Sequence, residues 1–179
     1  TYPYALGADY AKGFEDACRA GGSTLFGTGI NPGLVAERLS VLLTSACTRV
    51  DSIEVTEVYD CSEVASPGFI FDLMRVGQPL DVIRDGHGTE RVFRHIFGEV
   101  VGYVDHAMKI GFDEVVSDHE FGVSQRDLEL PVGTVKAGGV VNFRWRWRGM
   151  KHGKPFFTIQ MIWLVDRTMP GWDVPDGWT

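Results

Sequence analysis

Residues Ala137-Gly-Gly-Val-Val-Asn-Phe-Arg-Trp-Arg-Trp-Arg-Gly-Met-Lys-His-Gly-Lys-Pro-Phe-Phe-Thr-Ile-Gln-Met-Ile-Trp-Leu-Val-Asp166 change side-chain character at alternate positions. Phe143, Trp145 and Trp147 fall on one side of an extended chain, and Asn142, Arg144, Arg146 and Arg148 on the other. This is the period of a β-strand with one apolar face. Phe157, Ile159, Met161, Trp163 and Val165 repeat it, while Thr158 and Gln160 share the second side with Ile162 and Leu164. Residues 137–148 and 155–166 therefore predict two long strands, joined through Gly149 to Lys154 by a hairpin loop of several residues. A third strand is expected over 113–124. The apolar side calls for a layer of helices, and the mixed second side of 155–166 for a partner chain or a second domain.

Outward from this hairpin the period changes to that of helices. Tyr10, Phe14 and Ala17 place one over 8–20, stopped by Gly21-Gly22. Leu34, Val35, Leu39, Leu42, Leu43 and Ala46 predict a buried amphipathic helix over 33–47. Val92, Phe93, Ile96, Val100, Tyr103, Val104 and Ala107 predict a long one from Thr89 until Gly111. Thr24 to Phe26 reads as a short strand, and residues 53–60 as another. Residues 61–88 are turn-rich (Ser66-Pro-Gly68, Gly77-Gln-Pro79, Asp85-Gly-His-Gly88), with a short helix at Phe69–Arg75. The Pro- and Gly-rich 169–178 should lack regular structure and leave Trp172 and Trp178 exposed. The expected class is α+β, a largely antiparallel or mixed open sheet with helices packed on one face.

At 179 residues the chain suits one domain, or one and a piece of a second, and its 44% hydrophobic content can bury a core. Its net charge of −7, with one local basic cluster at Arg144, Arg146, Arg148, Lys151 and Lys154, excludes a nucleic-acid partner. No apolar run approaches the roughly 20 residues of a membrane span, and a cytoplasmic location is expected. Cys18, Cys47 and Cys61 are odd in number and form no CxxC, so neither a disulfide framework nor a zinc site follows. His95 and His106 share a helix face, but no acid or thiol is spaced to complete a metal set. Ser66 and Ser117 lack the context of a nucleophile elbow.

The turn Gly27-Thr-Gly-Ile-Asn-Pro-Gly33 brings bare backbone to the start of a helix. With Glu57 and Asp60 at the end of the next strand, it resembles a dinucleotide fingerprint superficially. Pro32 deletes a backbone N–H, the third glycine falls one place late, and hairpins replace the βαβ continuation, so a complete nucleotide-binding domain is not expected here. Asn31, with two donors and an acceptor, suits gripping a carboxamide.

Together, this turn and its helix, the strand to Tyr59-Asp60, the Ser66-Pro67 loop, Val132-Gly-Thr-Val-Lys-Ala-Gly-Gly139, and Lys151-His-Gly-Lys-Pro155 resemble one family. They are similar to the C-terminal portion of the NAD(P)-dependent amine dehydrogenases related to 2,4-diaminopentanoate dehydrogenase, with a dihydrodipicolinate reductase-like plan. The resemblance implies residues 1–22 as a helix leading in from a missing Rossmann domain, and 23–179 as a substrate-binding and dimerisation domain of a homodimer. It implies NAD or NADP as cofactor, with Gly29, Asn31 and Pro32 near the nicotinamide and the catalytic acid in the missing domain. The Val64 to Met74 loop and helix would surround the substrate, with Val64, Phe69 and Met74 as walls. Implied substrates are small ketones, aldehydes or amines, joined reversibly with ammonia.

From the residues themselves, His119 between Asp118 and Glu120 is either a proton carrier or polar wall of a pocket, or a solvated surface histidine. The Arg144, Arg146 and Arg148 stripe reads as an interface rim paired with acids. No cation precedes Arg75 in the Val64 to Met74 region to clamp a carboxylate, which favours an uncharged substrate. The alternatives are an imine reductase resembling dihydrodipicolinate reductase, and a non-catalytic ligand-binding or dimerisation module.

Overall fold

A computed structural model describes residues 2–84 and 89–174. It contains a four-stranded sheet of β1 (Ile53–Asp60), β2 (Glu114–Val123), β5 (Val140–Lys151) and β6 (Lys154–Leu164) in the order β1-β6-β5-β2. The connection between β5 and β6 is shorter than expected: only His152 and Gly153 turn, at φ 52° and 72°. Two positive φ values in a two-residue loop match the twist of the strands it joins, so Gly149 to Lys151 stay in β5.

β2 runs antiparallel to β5, since Asp113 N–H donates to the Met150 carbonyl and Ser124 N–H to that of Gly139, both at 2.9 Å. β1 runs parallel to β6. Cys61 N–H donates to the Leu164 carbonyl at 2.7 Å, while Gln160 donates to Thr56 Oγ1 at 3.3 Å, so the numbers rise together. The sheet is therefore mixed. β3 (Leu128–Leu130) and β4 (Gly133–Val135) form a separate antiparallel ladder, pairing buried Leu128 with buried Val135.

The chain divides into two compact units. The first comprises residues 1–55, 93–117 and 147–159. There α1 (Ala8–Gly21) ends as expected on left-handed Gly22, φ 59°. Helix α4 (Thr89–Met108) supplies the layer the apolar face requires: Phe97 stacks on Trp147 at 5.1 Å, Phe93 meets Phe97 edge-on at 5.8 Å, and Val100, Val101 and Val104 are fully buried.

Two expectations fail in this unit. The helix over 33–47 exists as the segment Ile30–Leu39 continuing into α2 (Ser40–Thr44), but it is turned about its axis. Gly33, Ala36, Glu37 and Ser40 are buried, whereas Leu34, Val35, Leu39, Leu42 and Leu43 are exposed, Leu42 by 66%. The buried side is taken by the small Gly33, Ala36 and Ser40 together with Glu37, whose carboxylate accepts the Gly33 N–H. Thr24 to Phe26 is not a strand either. Residues 23–29 lack regular structure and Phe26 is 71% exposed, because a strand needs a ladder partner for its backbone groups.

The second unit comprises residues 56–92, 118–146 and 160–179. It holds the short helix Gly68–Leu73, α3 (Leu80–Arg84), and a core that includes Ile70, Met74, Phe143, Trp145 and Met161. Trp172, expected to be exposed, is buried against Ile162 and Leu164 with the Arg144 guanidinium 5.0 Å from its ring. Trp178 and the turn at 85–88 lie outside the described residues. Among those that are described, no helix is long and apolar enough to cross a membrane.

Candidate functional site

In the first unit the glycine turn is held from within by the helix it opens. Gly33 has φ 139°, a value that costs any residue with a Cβ, and Asn31 and Pro32 keep non-helical backbone joined by a cis peptide. The Gly33 N–H donates to the buried Glu37 carboxylate. Arg38 donates from one guanidinium nitrogen to the Gly27 carbonyl at 2.9 Å and from the other to that of Gly33 at 3.2 Å. A Cβ on Gly29 would stand 2.3 Å from the Pro32 carbonyl oxygen, so the backbone folds tightly upon itself. Asn31 is half-buried, with Oδ1 withdrawn from solvent. A cleft of about 790 Å³ in the same unit, walled by Tyr2, Tyr10, Phe14, Phe26 and Arg38, reaches Gly27 but stops short of Gly29, Asn31 and Pro32.

In the second unit, odd-numbered strand residues share one face. Along it ring centroids follow one another: Phe69 to Trp163 at 5.6 Å, Trp163 to Trp145 at 5.2 Å, and Trp145 to Phe143 at 4.9 Å. Phe121 and His119 continue the row at 6.0 and 6.4 Å, and Tyr59 lies 6.1 Å from Trp163. Two carboxylates reach this wall. Glu57 accepts the Trp163 indole N–H at 2.8 Å, and Glu90 Oε1 stands 3.7 Å from His119 Nε2, both side chains of that pair 13% exposed.

Met74, Arg75, Glu90, Phe121, Phe143 and Trp145 enclose a cavity of about 10 Å³, room for the centre of one water. The structure thus brings Phe69, Met74 and His119 to one aromatic wall, where His119 is not a solvated surface residue. Val64 is half-buried in the turn after β1, its N–H donating to the Cys61 carbonyl at 3.2 Å. Burial, with the nearby Asp60 and Glu57 charges, pushes the Cys61 thiol up, so it is not a ready nucleophile.

Even-numbered residues make the opposite, polar face. Arg144 pairs with Glu120, and Arg146 with Asp118 at 2.8 Å and with Glu120. Burial raises the Glu120 carboxyl, but the hydrogen bonds and charges of Arg146 and Arg144 outweigh this and hold it below the ordinary carboxylate range.

With this geometry in view, residues 34–173 match the family model described as the 2,4-diaminopentanoate dehydrogenase C-terminal domain. The chain belongs to this family. A 2,4-diaminopentanoate dehydrogenase of Acetoanaerobium sticklandii is 28% identical over 144 residues, covering 78% of this chain and 40% of the relative. An amine dehydrogenase of Streptomyces virginiae is 26% identical over 165 residues, covering 89% and 44%. The fold also matches that of an amine dehydrogenase from Mycobacterium smegmatis, with a TM-score of 0.70 at 16% identity over 95% of this chain and 49% of that one. The chain spans less than half the length of the relatives it matches.

Sequence reasoning missed Glu37, Arg38 and Glu90 on these C-terminal-domain surfaces, and named Glu57 only as part of a superficial dinucleotide fingerprint. Glu57 shares the parity of Tyr59 and faces Trp163, a signal readable only once β1 is set beside β6. Glu37 and Arg38 sit one helical turn beyond Gly33, in reach of the turn. Glu90 carries no sequence signal.

Proposed function

We propose that this chain is the substrate-binding half of an NAD(P)-dependent amine dehydrogenase that reversibly joins ammonia to small ketones or aldehydes. The observation that supports it best is the aromatic wall bearing Glu57 and Glu90. An amine or iminium is a small organic cation, stabilised by aromatic faces and a nearby carboxylate and by exclusion of water. Phe69, Trp145 and Trp163 exclude water, and Glu57, oriented by the Trp163 indole, supplies the negative charge. His119 beside Glu90 can hold or pass a proton.

The glycine turn suits the nicotinamide end of the cofactor, which carries no negative charge, and not its phosphates. Pro32 offers no N–H there, and the Gly33 N–H is already taken by a carboxylate that would repel an anion. Gly29, Asn31 and Pro32 would flank the ring and its carboxamide. The bound cofactor would supply the hydride, and the exposed leucine surface of residues 34–43 is of the kind a further domain covers. A homodimer would use the polar even-numbered face, whose Arg144 and Arg146 side chains are already ordered by acids.

The test is oxidation of NADH and NADPH by the full-length protein with ammonia and a panel of small ketones and aldehydes. Turnover that requires ammonia is expected. Turnover without it would mark a carbonyl reductase, and no cofactor dependence would mark a non-catalytic binding module.

A further inference from the structure

The most fully built device outside the aromatic wall is the pair Glu37 and Arg38, which closes the glycine turn from behind. One guanidinium bridges the carbonyls of Gly27 and Gly33, the two ends of the turn. It is itself fixed, with its carbon 4.9 Å from the Phe26 ring centroid and 5.9 Å from that of Tyr103. Glu37, 2% exposed, holds the N–H of the same Gly33 whose carbonyl Arg38 takes. Both contacts lie on the helix side of the turn, while Ile30 on its outer side is 76% exposed.

We infer that Arg38, seconded by Glu37, is a positioning residue that sets the span of the turn and so the place of Gly29 and Asn31. The inference rests on the reading of that rim as the nicotinamide-facing surface. A planar fork with fixed N–H directions can tie two carbonyls at a set separation, which a lysine ammonium, a single point charge on a flexible stem, cannot. An unclasped turn would leave the carboxamide of Asn31 to be ordered at each binding event, a cost that appears in cofactor affinity. Chemistry at the substrate wall would be little changed once the cofactor is bound.

The experiment uses the full-length protein with Arg38→Met and Arg38→Lys, reading NADH and NADPH binding by cofactor fluorescence without substrate, then KM and kcat, alongside melting temperature. Arg38→Met should weaken cofactor binding by roughly tenfold, the cost of ordering about one side chain on binding, with kcat at saturating cofactor within about twofold. Arg38→Lys keeps the charge and the aliphatic stem and should fold; it should recover only part of the affinity. Folded variants with unchanged cofactor affinity and KM overturn the positioning role alone. A wild-type protein that binds neither NADH nor NADPH overturns the reading of the rim, and this inference with it.

Discussion

In the second unit Asn142 ties β5 to the segment that follows β6. Its side chain is fully buried and makes three hydrogen bonds to Val165 and Asp166 of that segment, and a weak fourth to the Met169 sulfur at 3.8 Å. Oδ1 accepts the N–H groups of Val165 and Asp166, each at 2.9 Å, and Nδ2 donates to the Asp166 carbonyl at 2.7 Å. Replacing it with leucine of similar volume strands two donors and an acceptor, each costing about 1–3 kcal/mol when buried. Added apolar burial returns about 1–2 kcal/mol. The net loss expected is at least about 1 kcal/mol and about 4 kcal/mol at mid-range, the latter roughly 8–16 °C in melting temperature for a chain of this length.

Asn142→Asp is the sharper probe. It keeps the acceptor for both N–H groups but turns a carboxylate oxygen toward the Asp166 carbonyl, and burial raises its folded pKa. A raised folded pKa means stability held at low pH and lost as pH rises through that value. The penalty relative to wild type should therefore shrink between pH 7 and pH 5, as the protonated acid regains a donor. Urea denaturation at both pH values reads this. A leucine variant within about 0.5 kcal/mol of wild type, or an aspartate variant whose penalty ignores pH, would refute the reasoning.

Gly139→Ala should destabilise by about 2 kcal/mol or more, since its Cβ would lie 2.6 Å from Gly77 Cα, backbone that cannot swing aside. Gly149→Ala should cost less in the same melting assay, because the atoms it meets, 2.3 Å away, belong to the Phe112 ring. On acidification the protein should lose stability below about pH 4: Asp166 and Asp60 are pushed up by burial, yet their hydroxyl, backbone and arginine partners hold both below the usual range. Their stabilisation is complete above the unfolded pKa and falls away through the depressed one, so Asp166→Asn should flatten the acid limb of a melting-temperature profile. Glu57→Gln removes the charge and retains an acceptor for the Trp163 indole; on the proposed function it should raise the KM of an amine substrate in the full-length protein roughly tenfold with little change in kcat.

How much of this was legible in the sequence depended on whether a signal was local. Alternation in 142–148 and 157–165 placed Phe143, Trp145, Trp147 and Trp163 on one face before any partner strand was known, because strand parity is a property of one segment. The helix over 34–44 shows the limit. Its leucines announce an apolar stripe, but which stripe faces inward is decided by what lies beside it, and here Ala36 and Ser40 win the buried side. Thr24 to Phe26 has strand composition without a partner strand, and β1 gives no sign in its own residues that it runs parallel to β6. Of the residues expected at the site, Phe69, Met74 and His119 came together through parity and sheet register. Glu57 and Glu90 needed register that no single segment encodes.

The two sides of the sheet hold their charged groups in different ways. On the even face Arg144 and Arg146 meet Glu120 and Asp118, so every charge named there is spent on another. On the odd face Glu57 accepts the Trp163 indole N–H, a neutral donor that orients the carboxylate. An aromatic surface around such a carboxylate lowers the local dielectric and sharpens its attraction for a cation. On the proposed reading, that difference favours the odd face over the more heavily charged even face as the side on which an amine would be held.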